Sequence, residues 1–284
     1  MIPGAIVQAR TGSTRLPGKI LKELPYGSGI TVLEQVIRRL QRCREFSAVI
    51  IATTTAPEDD AVVKAVESCG AAWFRGSSED VLARYHGAAV RFGIDPVVRV
   101  TSDCPCIDPG VVDRCVAEFH KRGVDYLSNT LRRTFPHGLD VEVFSFNALD
   151  TAHREARAKP EREHVTPFII QSEERFSRVL VEANEDETGP NVRVTLDTDE
   201  DYALLCVVFD ALYDGTPFFG AKAITRLFKE KPYLHLINRR VVQKKIFGSL
   251  EEEYEEAIRV LELQDLHRMV AYLRDGRTRL KSKR

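Results

Sequence analysis

Short apolar runs alternate with amphipathic stretches through the first 125 residues. Ala5-Ile6-Val7 has the pattern of a buried strand, and Ala48-Val49-Ile50-Ile51-Ala52-Thr53 is a second apolar, β-branched run bounded by polar turns. Between them Val32, Leu33, Val36, Ile37 and Leu40 recur at helical spacing. Thr31 with Glu34 three residues on predicts a capping box for that helix. Pro57 opens a predicted helix through Val62, Val63 and Val66 that Gly70 ends. A short strand at Ala72-Trp73-Phe74, a helix from about Glu79 to Arg91 and a strand at Val97-Val98-Arg99-Val100 follow. Asp108 then supplies a capping carboxylate and Pro109 a first-turn residue for a helix to about His120, with Gly123 beyond it. Repeated β-α alternation with apolar strands predicts an α/β fold with a mostly parallel sheet covered by helices.

The pattern changes after residue 125. Asp140-Val141-Glu142-Val143-Phe144 alternates strictly, which predicts a strand with one polar face. Leu180-Val181 and Val192-Arg193-Val194-Thr195-Leu196 predict two more strands, and Tyr202 to Leu212 a helix. From Leu250 to Leu273 a stripe of Leu250, Tyr254, Ile258, Leu261 and Leu266 predicts one helix whose apolar face packs in a core or interface. The basic tail Arg274 to Arg284 is expected to fray. No internal repeat or low-complexity block interrupts the chain.

Composition narrows the function classes. The chain has 284 residues, 43% hydrophobic and 29% charged, enough for one large or two small packed domains. A formal net charge of −1 argues against wholesale nucleic-acid or membrane binding, while leaving room for a local basic site. No apolar run approaches the roughly 18–20 residues that cross a bilayer, and no basic leader precedes an apolar stretch at the N-terminus. The six cysteines are scattered. Cys104-Pro105-Cys106 is their one close pair, with no second pair to complete a zinc set, so structural thiols in a reducing cytoplasm are expected.

The candidate chemistry starts where the first strand ends. Gln8-Ala9-Arg10-Thr11-Gly12-Ser13-Thr14-Arg15-Leu16-Pro17-Gly18-Lys19 combines three cations with small hydroxyl residues and glycine. A loop of this kind presents backbone N–H groups together with long positive side chains, which suits a polyphosphate. An ordinary solvated surface loop is the alternative, and the spacing is neither that of a Walker loop nor that of a dinucleotide-binding loop. Ligands of open α/β sheets sit at strand ends. Asp103 follows one predicted strand in Ser102-Asp103-Cys104-Pro105, and Asp197 follows another in Asp197-Thr198-Asp199-Glu200-Asp201. Two such carboxylates facing a basic loop suit a magnesium ion bridged to phosphates. Turn chemistry is the other reading of Asp103. Thr198 as a helix cap, with Asp199, Glu200 and Asp201 at the positive helix end, is the other reading of the acidic cluster.

The Gln8-to-Lys19 loop resembles the opening motif of the cytidylyltransferase superfamily, whose members make CMP-sialic acid and CMP-3-deoxy-octulosonate, and is most similar to the spore-coat-polysaccharide cytidylyltransferases. The supporting segments are Ala52-Thr53-Thr54-Thr55 with Glu58-Asp59-Asp60, then Phe74-Arg75-Gly76-Ser77-Ser78-Glu79-Asp80-Val81-Leu82 and Ser102-Asp103-Cys104-Pro105. Asp125-Tyr126 with Ser128-Asn129, His137-Gly138-Leu139-Asp140-Val141-Glu142-Val143, Glu161-Arg162-Glu163-His164-Val165-Thr166-Pro167 and Thr195-Leu196-Asp197-Thr198 complete the set. The resemblance covers roughly residues 3–238 and implies a three-layer α/β/α, Rossmann-like fold related to the nucleotide-diphospho-sugar transferases. A nucleotidyltransferase domain over 1–238 and a C-terminal helical extension over 239–284 follow from it.

Carried over by position, Arg10, Arg15 and Lys19 hold the triphosphate of CTP together with Ala9, Gly12 and Ser13 and stabilise the departing pyrophosphate, while Asp103 acts in catalysis by fixing the metal against the α-phosphate. Asp103 and Asp197 hold Mg²⁺. Arg75, Ser78 and Asp80 lie where relatives contact base or ribose. Asp140, Glu142, Glu163 and His164 lie where the second substrate or a homodimer contact would be; a solvated helix start and a core histidine are the alternatives for Glu163 and His164. Two departures are visible: Asp199 stands where many relatives have proline, and Ser102 where they often have glycine. The implied reaction is attack of a small acceptor on the α-phosphorus of CTP with release of pyrophosphate. A metal-dependent glycosyltransferase reading rests on the acid-x-acid pattern Asp197-Thr198-Asp199, which lies later in the chain than that motif normally does. A noncatalytic nucleotide-binding protein with the C-terminal extension as its partner surface is a third reading.

Overall fold

The computed structural model describes residues 1–214, 216–241 and 249–281. The chain divides into two compact units, Met1–Arg239 and Arg240–Arg284. The first is built on a seven-stranded sheet of β1 (Ile2–Gln8), β2 (Ala48–Thr54), β3 (Ala72–Gly76), β4 (Ile94–Thr101), β5 (Tyr126–Ser128), β6 (Glu142–Phe144) and β7 (Arg178–Leu180). Their order is β3-β2-β1-β4-β6-β5-β7, and β6 alone runs against its neighbours. Helices α1 (Val32–Leu40), α2 (Asp60–Ser68), α3 (Val81–Phe92), α4 (Pro109–Arg122), α5 (Phe146–Glu155), α6 (Lys159–His164), α7 (Pro167–Gln171), α8 (Asp199–Leu212) and α9 (Ala221–Glu230) complete the unit.

Alternation along the strands explains the three layers. Ala5 and Val7 of β1, Val49 and Ile51 of β2, and Val98 and Val100 of β4 face one core, with Val36, Val62, Val112, Leu205 and Ile224 of α1, α2, α4, α8 and α9. Ile6, Ile50 and Val97 face the other, with Tyr85, Leu149 and Ile169 of α3, α5 and α7. Both faces are covered, so the strands are apolar on both sides. The capping box of α1 forms as the sequence predicts: Thr31 Oγ accepts from the Glu34 N–H at 3.2 Å, and Glu34 accepts from the Thr31 N–H at 2.6 Å. The register brings Gln8 of β1 level with Ala52 of β2 and Thr101 of β4. The loop after β1 and the turn after β4 therefore leave the sheet side by side.

Several predicted elements differ. Val192–Leu196 is extended but carries a single bridge, His137 to Arg193, rather than a place in the sheet. It packs so tightly on the preceding loop that a Cβ on Gly138, which has φ +109°, would lie 2.7 Å from the Val194 carbonyl. The polar face expected for Asp140–Phe144 is missing because the strand is confined to Glu142–Phe144 and wholly buried. Pro57 opens a single 3₁₀ turn, Pro57–Asp59, and α2 starts at Asp60.

In the second unit the expected single helix is two, α10 (Leu250–Leu263) and α11 (His267–Lys281). The chain breaks at Asp265, which has φ 57°. Ile258 and Val270 are buried, whereas Leu250 is 81% exposed. The stretch from Arg274 expected to fray continues as helix to Lys281; the last three positions of that tail lie outside the described residues. No described helix is long and apolar enough to cross a membrane.

Candidate active site

The loop after β1 is pinned before any charged group is considered. The Ala9 N–H donates to the Ala52 carbonyl at 3.1 Å, and Ala9 is buried. The Thr11 N–H and Oγ both donate to Asp59 Oδ1, at 2.7 and 2.8 Å, and Thr54 Oγ donates to Asp59 Oδ2. Burial of this carboxyl pushes its pKa up, but the bonds from Thr54 and Thr11 outweigh that and hold it below the ordinary aspartate value. Further along, the Gly18 N–H closes back on the Thr11 carbonyl at 3.1 Å, Ser13 Oγ accepts from the Leu16 N–H at 3.3 Å, and Leu16 is buried. Gly18 takes φ 67° and starts the turn Lys19–Leu21, which sends Lys19 back towards the sheet. Gly12 is exposed and open around its Cα, and Arg10 is exposed. Asp59→Ala is expected to lower stability by about 2 kcal/mol, because charged hydrogen bonds are lost and the loop is freed. Denaturant unfolding measures this, and an unchanged midpoint would show that Asp59 is not the anchor.

Lys19 then meets both candidate metal carboxylates. Its Nζ lies 2.7 Å from Asp103 Oδ2, 2.9 Å from Asp197 Oδ1 and 2.8 Å from the Leu196 carbonyl. Arg15 Nη2 lies 2.8 Å from the same Asp197 Oδ1. Backbone pairing brings the carboxylates together: the Leu196 N–H and Thr195 Oγ donate to the Asp103 carbonyl at 2.9 and 3.1 Å. Burial alone would lower the Lys19 pKa, yet Asp103 and Asp197 raise it above the usual lysine value. For Asp197 burial pushes upward, and Lys19, Arg15 and Arg193 overcome it and hold the carboxyl at about 2.

The sign of the resulting pH effect follows from that depression. A carboxyl whose folded pKa is lowered contributes stability above its unfolded value of 3.8 and loses it as pH falls towards about 2. The expected loss is on the order of 2 kcal/mol between pH 5 and pH 2, and Asp197→Asn should flatten that portion of the curve. Urea unfolding across this range reads it directly.

The geometry can hold a cation, since it already holds one. Two carboxylate oxygens from separate segments and a main-chain carbonyl converge on a single ammonium. Oxygen donors of this type suit a hard divalent ion, which needs one or two protein carboxylates when phosphates complete its shell. Among the described residues no group of three or more His, Cys, Asp or Glu is arranged for a metal. Any divalent ion here would therefore depend on ligand oxygens from elsewhere.

The other predicted residues fall into separate places. Arg75 is used as a strap, with Nε and Nη2 donating to the Thr54 and Ala56 carbonyls at 2.7 Å each and Nη1 2.6 Å from Asp60. Ser78 is exposed. Asp80 caps α3 by accepting from the Ala83 N–H at 2.9 Å, and its other oxygen takes the Arg162 fork. Asp140 is gripped by Arg133 at 2.8 and 3.0 Å. Glu142 is buried against Arg99, Tyr126 Oη at 2.6 Å and Thr166 Oγ at 2.7 Å. Glu163 and His164 are half-buried at the end of α6. The next residue, Val165, takes φ 72° and ψ −55°, a strained three-residue turn closed by the Thr166 N–H on the His164 carbonyl at 2.9 Å. Asp199 is exposed in the first turn of α8, and the box that caps this helix pairs Thr198 with Asp201 instead.

Arg193, His137, Asp201 and Asn238 adjoin the cluster without having been singled out as site residues. Arg193 Nη2 lies 2.8 Å from Asp197 Oδ2, and its Nε and Nη2 grip the fully buried Asp201 carboxylate at 2.9 and 3.0 Å. Arg193 Nη1 lies 3.0 Å from His137 Nδ1, and Asn238 Nδ2 donates to Asp201 Oδ1 at 2.9 Å. An arginine inside the largely apolar Val192–Leu196 run was the available signal for this group. Burial lowers the His137 pKa, and the neighbouring Arg133 and Arg193 lower it further against Asp140. A neutral ring can then accept at Nδ1 and keep its proton at Nε2.

Known proteins share this framework. The sequence profile of a family described as cytidylyltransferase matches residues 4–213. The protein MJ1063 of Methanocaldococcus jannaschii is 34% identical over 242 residues, 84% of this chain and 95% of its own. The spore coat polysaccharide biosynthesis protein SpsF of Bacillus subtilis is 31% identical over 227 residues, 78% of this chain and 92% of its own. A solved cytidylyltransferase of Leptospira borgpetersenii superposes with a TM-score of 0.76 at 32% identity, covering 87% of this chain and all of that one.

Proposed function

This chain belongs to the cytidylyltransferase family and is a nucleotidyltransferase, and on that premise we propose that it couples CTP to a small acceptor with release of pyrophosphate, assisted by Mg²⁺. The observation that carries the site assignment is the convergence of Lys19 and Arg15 on Asp103 and Asp197. A triphosphate offers Lys19 and Arg15 better partners than these two carboxylates, and Arg10, exposed on the same loop, adds a third cation. Asp103 and Asp197, released from those cations, would hold the divalent ion that accompanies the nucleotide. When bound, that ion supplies Lewis-acid polarisation of the phosphate oxygens.

An oxygen of the acceptor attacks the α-phosphorus, the bond to the bridging oxygen breaks, and pyrophosphate departs carrying the electron pair. Negative charge grows on that leaving oxygen. Arg15 and Lys19, already moved onto the triphosphate when the nucleotide binds, stabilise it without further reorganising at the moment of reaction. An acceptor that attacks through a phosphate or carboxylate oxygen needs no general base, because it arrives deprotonated.

Ser78 faces the nucleoside from the loop between β3 and α3, and Arg75 at the end of β3 and Asp80 at the cap of α3 shape that loop through their protein bonds. The acceptor lies towards Asp140, Glu142, Glu163 and His164, and is a sugar acid, a sugar phosphate or another phosphorylated small molecule. The protein works in the cytoplasm as a homodimer, with residues 1–238 as the transferase domain and 239–284 as a helical extension. The test is a pyrophosphate-release screen of acceptors of these classes against all four nucleoside triphosphates. Release with CTP and one acceptor class is expected; tight CTP binding with no release across the panel would favour a noncatalytic nucleotide-binding protein.

A further inference from the structure

Asp197 is held from two sides, and the sides are not equivalent. Its Oδ1 meets Lys19 and Arg15, the two cations that a triphosphate would draw away. Its Oδ2 meets Arg193, at 2.8 Å. Arg193 cannot leave in the same way. Its guanidinium is locked by the two-point grip on Asp201 and by His137 at a third nitrogen. Asp201 is itself fixed, accepting from the Asp197 N–H at 2.9 Å, from the Thr198 N–H at 3.3 Å and from Asn238.

Stability alone does not account for this group. A buried ion pair roughly breaks even against apolar packing of the same shape. What the planar fork adds is direction, which a point-charge ammonium would not supply.

We propose that Arg193, locked by Asp201 and Asn238, is a positioning residue that retains Oδ2 of Asp197 and so commits Oδ1 alone to the divalent cation. The carboxylate is then a one-oxygen ligand of fixed orientation, and the ion is left with positions for phosphate oxygens. This rests on the assignment of Asp103 and Asp197 as the cation site above.

The experiment uses the full chain with CTP and Mn²⁺ as the spectroscopic probe, and measures bound Mn²⁺ by electron paramagnetic resonance. CTP affinity without metal is measured in parallel by calorimetry. For Arg193→Lys, Mn²⁺ affinity in the presence of CTP is expected to fall about 10-fold or more, as for partners of other metal ligands. CTP affinity without metal is expected to stay within about twofold, since no contact to nucleotide is assigned to Arg193. Asn238→Ala, which keeps the Arg193 side chain and removes the donor to Asp201 and to the Arg193 carbonyl, is expected to lower Mn²⁺ affinity in the same direction by a smaller factor, and it carries the test if Arg193→Lys does not fold. Asp103→Asn is the control. If it loses Mn²⁺ while both other variants bind Mn²⁺ as the parent does, or lose CTP and Mn²⁺ in parallel, the positioning inference alone is overturned. If Asp103→Asn also binds Mn²⁺ as the parent does, the cation site itself is wrong and the inference goes with it.

Discussion

Lys19→Met is expected to reduce CTP-dependent pyrophosphate release by on the order of 10²–10³, the cost of removing one preorganised charge stabiliser. It should also do something that a merely disabling substitution would not. The Lys19 ammonium lies between Asp103 and Asp197, at 2.7 and 2.9 Å, on the position proposed for the divalent cation. In the parent protein a metal without nucleotide must displace that ammonium, whereas metal arriving with CTP meets carboxylates whose lysine has a phosphate to move to. Metal and nucleotide should therefore bind synergistically in the parent. In Lys19→Met the two carboxylates face each other with no lysine between them, so Mn²⁺ should bind more tightly in the absence of CTP and the synergy should shrink. Titration of Mn²⁺ with and without CTP reads both effects. Equal Mn²⁺ affinity in parent and variant would show that Lys19 does not guard the cation position.

Asp103→Asn carries the second large effect. Asp103 is fixed through its main chain, whose carbonyl takes the Leu196 N–H and Thr195 Oγ, so the amide should leave the backbone in place. Lys19 keeps Asp197 and the Leu196 carbonyl as partners, so the fold is expected to survive. Turnover is expected to fall by on the order of 10²–10³, with the Mg²⁺ dependence moved to higher concentration. CTP affinity without metal should hold or rise, since one negative charge near the triphosphate is gone. Near-parent turnover at low Mg²⁺ would remove Asp103 from the cation site. Together the two substitutions separate the cationic half of the site from the anionic half, because they move Mn²⁺ affinity in opposite directions.

Much of the sheet was legible in the sequence. Its central strands are buried on both faces and are spelled by apolar runs such as Ala48–Thr53, and its helix starts by local chemistry such as Thr31 with Glu34. The second half was harder for a physical reason. β5, β6 and β7 are three residues each, too short to express a period. Val192–Leu196 has strand composition but satisfies its backbone on two loops, through the His137 and Asp103 carbonyls. The long C-terminal stripe ran on through Asp265 because hydrophobic spacing does not register a single residue in a left-handed conformation.

The sequence by itself determined the α/β class, the cationic loop after β1, and Asp103 and Asp197 as acids next to extended segments, because each of these is written in local composition and spacing. Only the tertiary structure decided that Lys19 lies between those acids, that Arg75 and Asp80 spend their charges on the protein, and that Arg193 holds the far oxygen of Asp197. Those facts depend on pairings between residues up to 178 positions apart. Such pairings are set by which strand ends lie side by side in the sheet and by which backbone carbonyls the buried segments must satisfy, and no local pattern carries that information.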